Sequence, residues 1–147
     1  MAAVAAQTLP GIAHQALVFA VLDLAGIGAT ASYREFGSGY FLTRRDMDYF
    51  ARSYAGGHDP ADPRLPPIRA ATLRGLAPAT IVIAECEPLR DENEAYARML
   101  SAVGVPVQSR RFDSQVHPFH LLDEVIDDAN TARRWIGERL RAALGPR

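Results

Sequence analysis

Lysine is absent from this chain of 147 residues; all 16 basic residues are arginine. They are scattered rather than clustered, and the net charge is −1. Nucleic acid and anionic membrane surfaces call for concentrated positive charge, so neither partner is expected. Cysteine is almost absent as well. Cys86 stands alone, which excludes an internal disulfide and fits a reducing compartment. No apolar run approaches the roughly 20 residues that cross a bilayer. The alanine-rich start, Met1 to Ala6, lacks the basic residues of a signal peptide and breaks at Gln7 and Thr8. The cytoplasm is the expected location. None of the six serines (Ser32, Ser38, Ser53, Ser101, Ser109, Ser114) lies in a G-x-S-x-G turn, the usual mark of a serine nucleophile. No two of the four histidines share a helix face at ligand spacing. His58 with Asp59 and Asp62 is therefore not read as a metal site, and no cofactor is expected.

What is present suits one globular domain. A chain of this length buries roughly 68–70% of its unfolded surface, enough for a core. No repeat or linker divides it. Residues 2–9 are alanine-rich and read as a helix ending before Pro10-Gly11. Ala16 to Leu22 is a continuous apolar run of strand length, as in a strand buried on both faces of a parallel sheet. Asp23 to Leu42 is rich in glycine and reads as irregular. Thr43 offers an N-cap with Asp46 at the reciprocal position. Met47, Phe50, Ala51 and Tyr54 follow at helical spacing until Gly56-Gly57. The proline-rich stretch Asp59 to Pro67 reads as an extended loop.

Thr80 to Ala84 is a second buried strand. Asp91 to Val103 reads as an amphipathic helix with Asp91 as its N-cap. Its apolar stripe is Ala95, Tyr96, Met99, Leu100 and Val103, and Glu94 and Arg98 pair on the other side. Val105 to Phe112 is a third strand. The last helix is expected from about Leu121 to Leu144, with Leu122, Val125, Ile126, Ala129, Ile136, Leu140 and Leu144 facing inward. Strands alternating with helices imply an α/β layered fold.

Glu87 falls three residues beyond Ala84, and His117 five beyond Phe112. In open α/β sheets, function collects in loops past the carboxyl ends of the strands. Parallel neighbouring strands would bring both side chains to one rim. A carboxylate that accepts an imidazole Nδ1 proton fixes the tautomer and frees the other nitrogen to act as a base. Carboxylate before histidine is also the chain order of α/β-hydrolases. The plain alternatives stay open at this point: Glu85, Glu87 and Asp91 as caps or surface groups, and His117 as a structural residue.

From about Phe36 onward the sequence resembles the hormone-sensitive-lipase-like family of α/β-hydrolase esterases. The resemblance rests on an ordered set of segments. These are Gly39-Tyr40-Phe41-Leu42-Thr43, Asp62-Pro63-Arg64 with Pro66 and Pro67, Leu76-Ala77-Pro78-Ala79-Thr80, and Glu87-Pro88-Leu89-Arg90-Asp91-Glu92. Ala95-Tyr96-Ala97, Gly104-Val105-Pro106-Val107 and His117-Pro118-Phe119 follow. The resemblance implies that Glu87 is the acid and His117 the base of a Ser-His-acid triad. Glutamate here replaces the common aspartate, and Pro118 replaces the glycine that usually follows the histidine. His120 is a competing base three positions on.

The resemblance also implies a nucleophile turn of the G-D-S-A-G type and an H-G-G-G oxyanion loop. Neither occurs here. Gly37-Ser38-Gly39 precedes a loop rather than a helix and does not substitute. The expectation is the C-terminal portion of an α/β-hydrolase fold, residues 1–147, truncated on its N-terminal side. In the intact enzyme the substrate would be a small carboxylic ester. Alternatives are one piece of a split esterase, or a non-catalytic remnant acting as an interaction module. The Ala16–Leu22 strand would then carry an uncovered edge open to self-association.

Overall fold

The computed structural model describes residues 2–59, 62 and 65–145. Three parallel strands form a sheet in the order β1 (Gln15–Val18), β2 (Ala79–Cys86), β3 (Val107–Val116). Among the described residues five α-helices accompany them: α1 (Ala2–Thr8), α2 (Ala31–Phe36), α3 (Arg44–Ala55), α4 (Arg90–Ala102) and α5 (Asp127–Leu144). The central strand β2 explains the layering. Its side chains alternate between two cores. Ile81 and Ile83 pack with Leu17, Ala3, Tyr96 and Leu100, on the side of α1 and α4. Val82 and Ala84 pack with Phe112, Phe119, Ala129 and Ala132, on the side of α5. A strand buried on both faces has to be apolar throughout, as Thr80–Ala84 nearly is.

Several local expectations give way to tertiary packing. β1 stops at Val18 because Phe19 has φ 49°, outside the extended region. The rest of the apolar run turns away, yet Leu22 is fully buried. Burial, not strand geometry, accounts for its composition. Asp23–Leu42 is not all irregular: it holds a 3₁₀ turn at Leu24–Gly26 and helix α2, capped where the Thr30 hydroxyl accepts the Tyr33 N–H. Leu89, not Asp91, occupies the N-cap of α4. Asp91 instead accepts the Ser32 N–H at 2.8 Å. The buried face of α4 is Glu92, Asn93, Tyr96, Ala97 and Leu100, while Met99 is exposed.

β3 begins and ends later than its sequence suggests. Beyond it, Phe119–Leu121 forms a single 3₁₀ turn, and α5 starts only at Asp127. Leu122, Val125 and Leu144 are exposed rather than inward; the buried anchors of α5 are the small residues Ala129 and Ala132. In the proline-rich loop, Pro60, Ala61, Pro63 and Arg64 lie outside the described residues.

α3 follows its sequence closely at both ends. Thr43 and Asp46 form a reciprocal capping box, and Gly56 closes the helix at φ 57°. Its outer face does not: Phe50 is 53% exposed. Phe50 and Tyr54 line an apolar groove of about 450 Å³ with Val4, Ala16, Val18 and Val21. Among the described residues β1 pairs only with β2, so the groove runs beside an open strand edge.

Candidate active site

Glu87 follows β2 directly and is fully buried. The Ala84 N–H donates to its Oε1 at 3.1 Å. Its Oε2 lies 3.0 Å from His117 Nδ1. His117 follows β3 directly, its side chain 24% exposed. An ionised Glu87 can only accept in this contact, so it calls for a proton on Nδ1 and, in a neutral ring, leaves the Nε2 lone pair free. Among the described residues Nε2 makes no hydrogen bond.

A bulge in β3 sets this alignment. Ala84 pairs with Phe112, but Cys86 pairs with Val116, so the offset between partners grows from 28 to 30. The offset between Glu87 and His117 is also 30, and the two come level. Within the bulge Ser114 takes φ 62°, and its N–H donates to Glu85 Oε2 at 2.6 Å. Extra residues of this kind commonly re-aim a side chain at a strand end.

Electrostatics separates the neighbouring titratable groups. Burial pushes the Glu87 carboxyl above the usual glutamate range; the hydrogen bonds from His117 and Ala84 oppose that without cancelling it. His120 does not reach Glu87. Its ring packs on Phe19 at 5.1 Å, and its buried Nδ1 has no partner among the described residues. Burial, then the charges of His117 and Arg133, lower its pKa. Burial and then Glu85 raise the Cys86 thiol, with Arg90 opposing. A raised thiol pKa is the wrong direction for a nucleophile. Ser38 sits in an exposed bend between α2 and α3. Among the described residues no group of His, Cys, Asp and Glu is placed to hold a metal ion.

Three participants escape sequence reading. Glu92 and Asn93, both buried, reach from α4 to the segment after β1. Glu92 Oε1 accepts the Leu22 N–H at 2.7 Å and the Asp23 N–H at 3.4 Å. Burial drives its carboxyl up to about 8. Asn93 Nδ2 donates to Ala20 O at 2.7 Å and to Leu89 O at 2.9 Å, and its Oδ1 accepts the Ala20 N–H at 3.3 Å. The third is Phe19, whose ring meets His117 edge-on at 5.3 Å. Two adjacent polar residues on the inner face of an amphipathic helix are the signal that could have found the first pair.

This arrangement can be set beside known proteins. A family profile described as alpha/beta hydrolase fold matches residues 1–121, a span that includes both Glu87 and His117. The chain belongs to the α/β-hydrolase family, in its hormone-sensitive-lipase-like branch of esterases. It is 49% identical over 117 residues to the carboxylic ester hydrolase LipN of Mycobacterium tuberculosis, covering 78% of this chain and 31% of that protein. It is 35% identical over 114 residues to an ethyl acetate hydrolase of Pseudomonas putida, covering 77% and 36%. Among solved structures, a thermostable esterase from Pseudomonas putida superposes with a TM-score of 0.87 at 36% identity, over 99% of this chain and 47% of that one. A Pyrobaculum calidifontis esterase gives 0.86 at 29% identity, over 95% and 48%. The chain thus spans about a third of these curated relatives (31% and 36%) and about half of these solved chains (47% and 48%).

Proposed function

We propose that this α/β-hydrolase chain is the C-terminal portion of a serine-type carboxylic ester hydrolase and carries the acid and base of its triad. The observation behind this reading is the buried Glu87 carboxylate 3.0 Å from His117 Nδ1 at the carboxyl rim of a parallel sheet. Glu87 holds the ring in the Nδ1–H tautomer. Nε2 then takes the proton from a serine hydroxyl as its oxygen attacks the ester carbonyl. The tetrahedral intermediate collapses, the proton passes to the leaving alkoxide, and an acyl-enzyme remains for water to cleave. The serine and the oxyanion donors come from a segment outside this chain. That segment would also pair with the open edge of β1 and cover the groove beside Phe50 and Tyr54. The substrate class is a small carboxylic ester, in keeping with the names of the two relatives, a carboxylic ester hydrolase and an ethyl acetate hydrolase.

Among the described residues no helix is long and apolar enough to cross a membrane. With Cys86 unpaired, the reading takes the cytoplasm as its compartment.

A chimera tests it. Residues 1–147 replace the corresponding C-terminal part of the Pseudomonas putida ethyl acetate hydrolase, and nitrophenyl butyrate turnover is measured. The expected result is hydrolysis that His117→Ala lowers by several orders of magnitude. A folded chimera without turnover, beside an active parent, would favour a non-catalytic remnant instead.

A further inference from the structure

The segment after β1 contains a costly choice. Phe19 has φ 49°, a region that glycine enters freely, asparagine readily, and bulky residues rarely. If the chain needed only a turn, a smaller residue would serve better. The ring explains the choice. Phe19 is 5% exposed, and its ring contacts three rings of the segment after β3: His117 at 5.3 Å, Phe119 at 5.4 Å and His120 at 5.1 Å. Its N–H still donates to Val82 O at 3.1 Å, so the turn begins while the residue remains tied to the sheet.

Asn93 fixes the other end of the turn. It engages both the N–H and the carbonyl of Ala20, and also the carbonyl of Leu89, two residues past Glu87. One fully buried amide therefore ties the acid's loop to Ala20, the chain neighbour of the residue that borders the base. We infer that Phe19, braced through Ala20 by Asn93, is a positioning residue that holds the His117 ring with Nδ1 on Glu87. The inference rests on the proposed acid–base reading and adds to it a second wall: Glu87 fixes one ring nitrogen, and Phe19 blocks the ring from turning away.

Magic-angle-spinning NMR of the chain with ¹⁵N-labelled histidine tests this at any oligomeric state. At about pH 9, well above the ordinary imidazole range, each neutral ring reports which nitrogen bears the proton. The His117 signal is assigned by its loss in His117→Phe. In the wild-type chain His117 is expected as the Nδ1–H tautomer. Phe19→Asn keeps a residue at ease in the left-handed region but removes the ring; His117 should then lose its single Nδ1–H signal, with His14 and His58 unchanged. Phe19→Tyr, which keeps the ring, should restore it. Asn93→Asp, which sets a carboxylate oxygen against two carbonyls, should reproduce the loss. Glu87→Leu separates the two ideas. If it leaves the His117 tautomer unchanged, the acid–base reading fails. If it shifts the tautomer while a folded Phe19→Asn does not, only the role of Phe19 fails. Should Phe19→Asn and Phe19→Leu both fail to fold, Phe19 is a general core residue and the inference is likewise overturned.

Discussion

Glu87 Oε2 and His117 Nδ1 lie 3.0 Å apart, and the glutamate making that contact is wholly buried. Burial raises its pKa in the folded state despite the two hydrogen bonds it accepts. The sign of the linkage follows. A carboxyl with a raised folded pKa favours folding below its unfolded pKa, and that contribution is lost as pH rises through the folded value. The charged form is thus retained against stability. The Glu87→Gln chain is expected to melt at a higher temperature than the wild type at about pH 8, with the gap closing below the usual carboxylate range. Calorimetric scans across pH check this. A lower melting temperature for Glu87→Gln at about pH 8 would mean that the pair with His117 outweighs burial.

Glu92 should show the same sign more strongly, because burial lifts it to about 8. Its contribution is intact below about pH 4.3 and lost progressively up to about pH 8. Glutamine can still accept the Leu22 and Asp23 N–H groups. Glu92→Gln should therefore stabilise the chain clearly at pH 9 and by little at pH 4. Urea unfolding at the two pH values measures the difference; equal gains at both would remove the ionisation argument.

Thr43 anchors α3 through both halves of the capping box. Thr43→Ala should cost about 1 kcal/mol, and Thr43→Ser much less. Denaturant midpoints decide, and equal midpoints for both variants would show that the cap contributes nothing.

The groove beside β1 predicts association. An open strand edge with neighbouring apolar side chains is a template for another chain. The 147-residue chain should sediment above its monomer mass at micromolar concentration. Phe50→Lys, on the exposed face of α3, should shift it toward monomer without lowering its melting temperature. A monodisperse wild-type monomer would show that the edge is protected.

If the proposed function holds, the chain by itself should release no nitrophenolate from nitrophenyl acetate or butyrate at esterase rates, because an acid and base without a nucleophile and oxyanion donors would lack most of the rate-supplying groups. Turnover that His117→Ala abolishes would reveal a nucleophile among residues 1–147.

The sequence by itself determined the α/β class, the buried character of β2, the capping box of α3 and the identity of Glu87 and His117 as candidates. Each of these rests on local chemistry: a continuous apolar run, a Thr and an Asp three residues apart, an ordered set of short segments. The same local chemistry misled where burial does not need regular structure, as in Ala20–Leu22, which is apolar but not strand. It misled again where helix α5 anchors on Ala129 and Ala132 rather than on its larger residues.

Only the tertiary structure decided how the site is assembled. Strand register is not encoded in either strand alone, so the bulge that brings His117 level with Glu87 appears only when β2 and β3 pair. The brace from Asn93 spans 73 residues of chain, and Glu92 reaches across 70. Polar groups bury themselves only where distant backbone offers partners, and those partners exist once the sheet and α4 have packed.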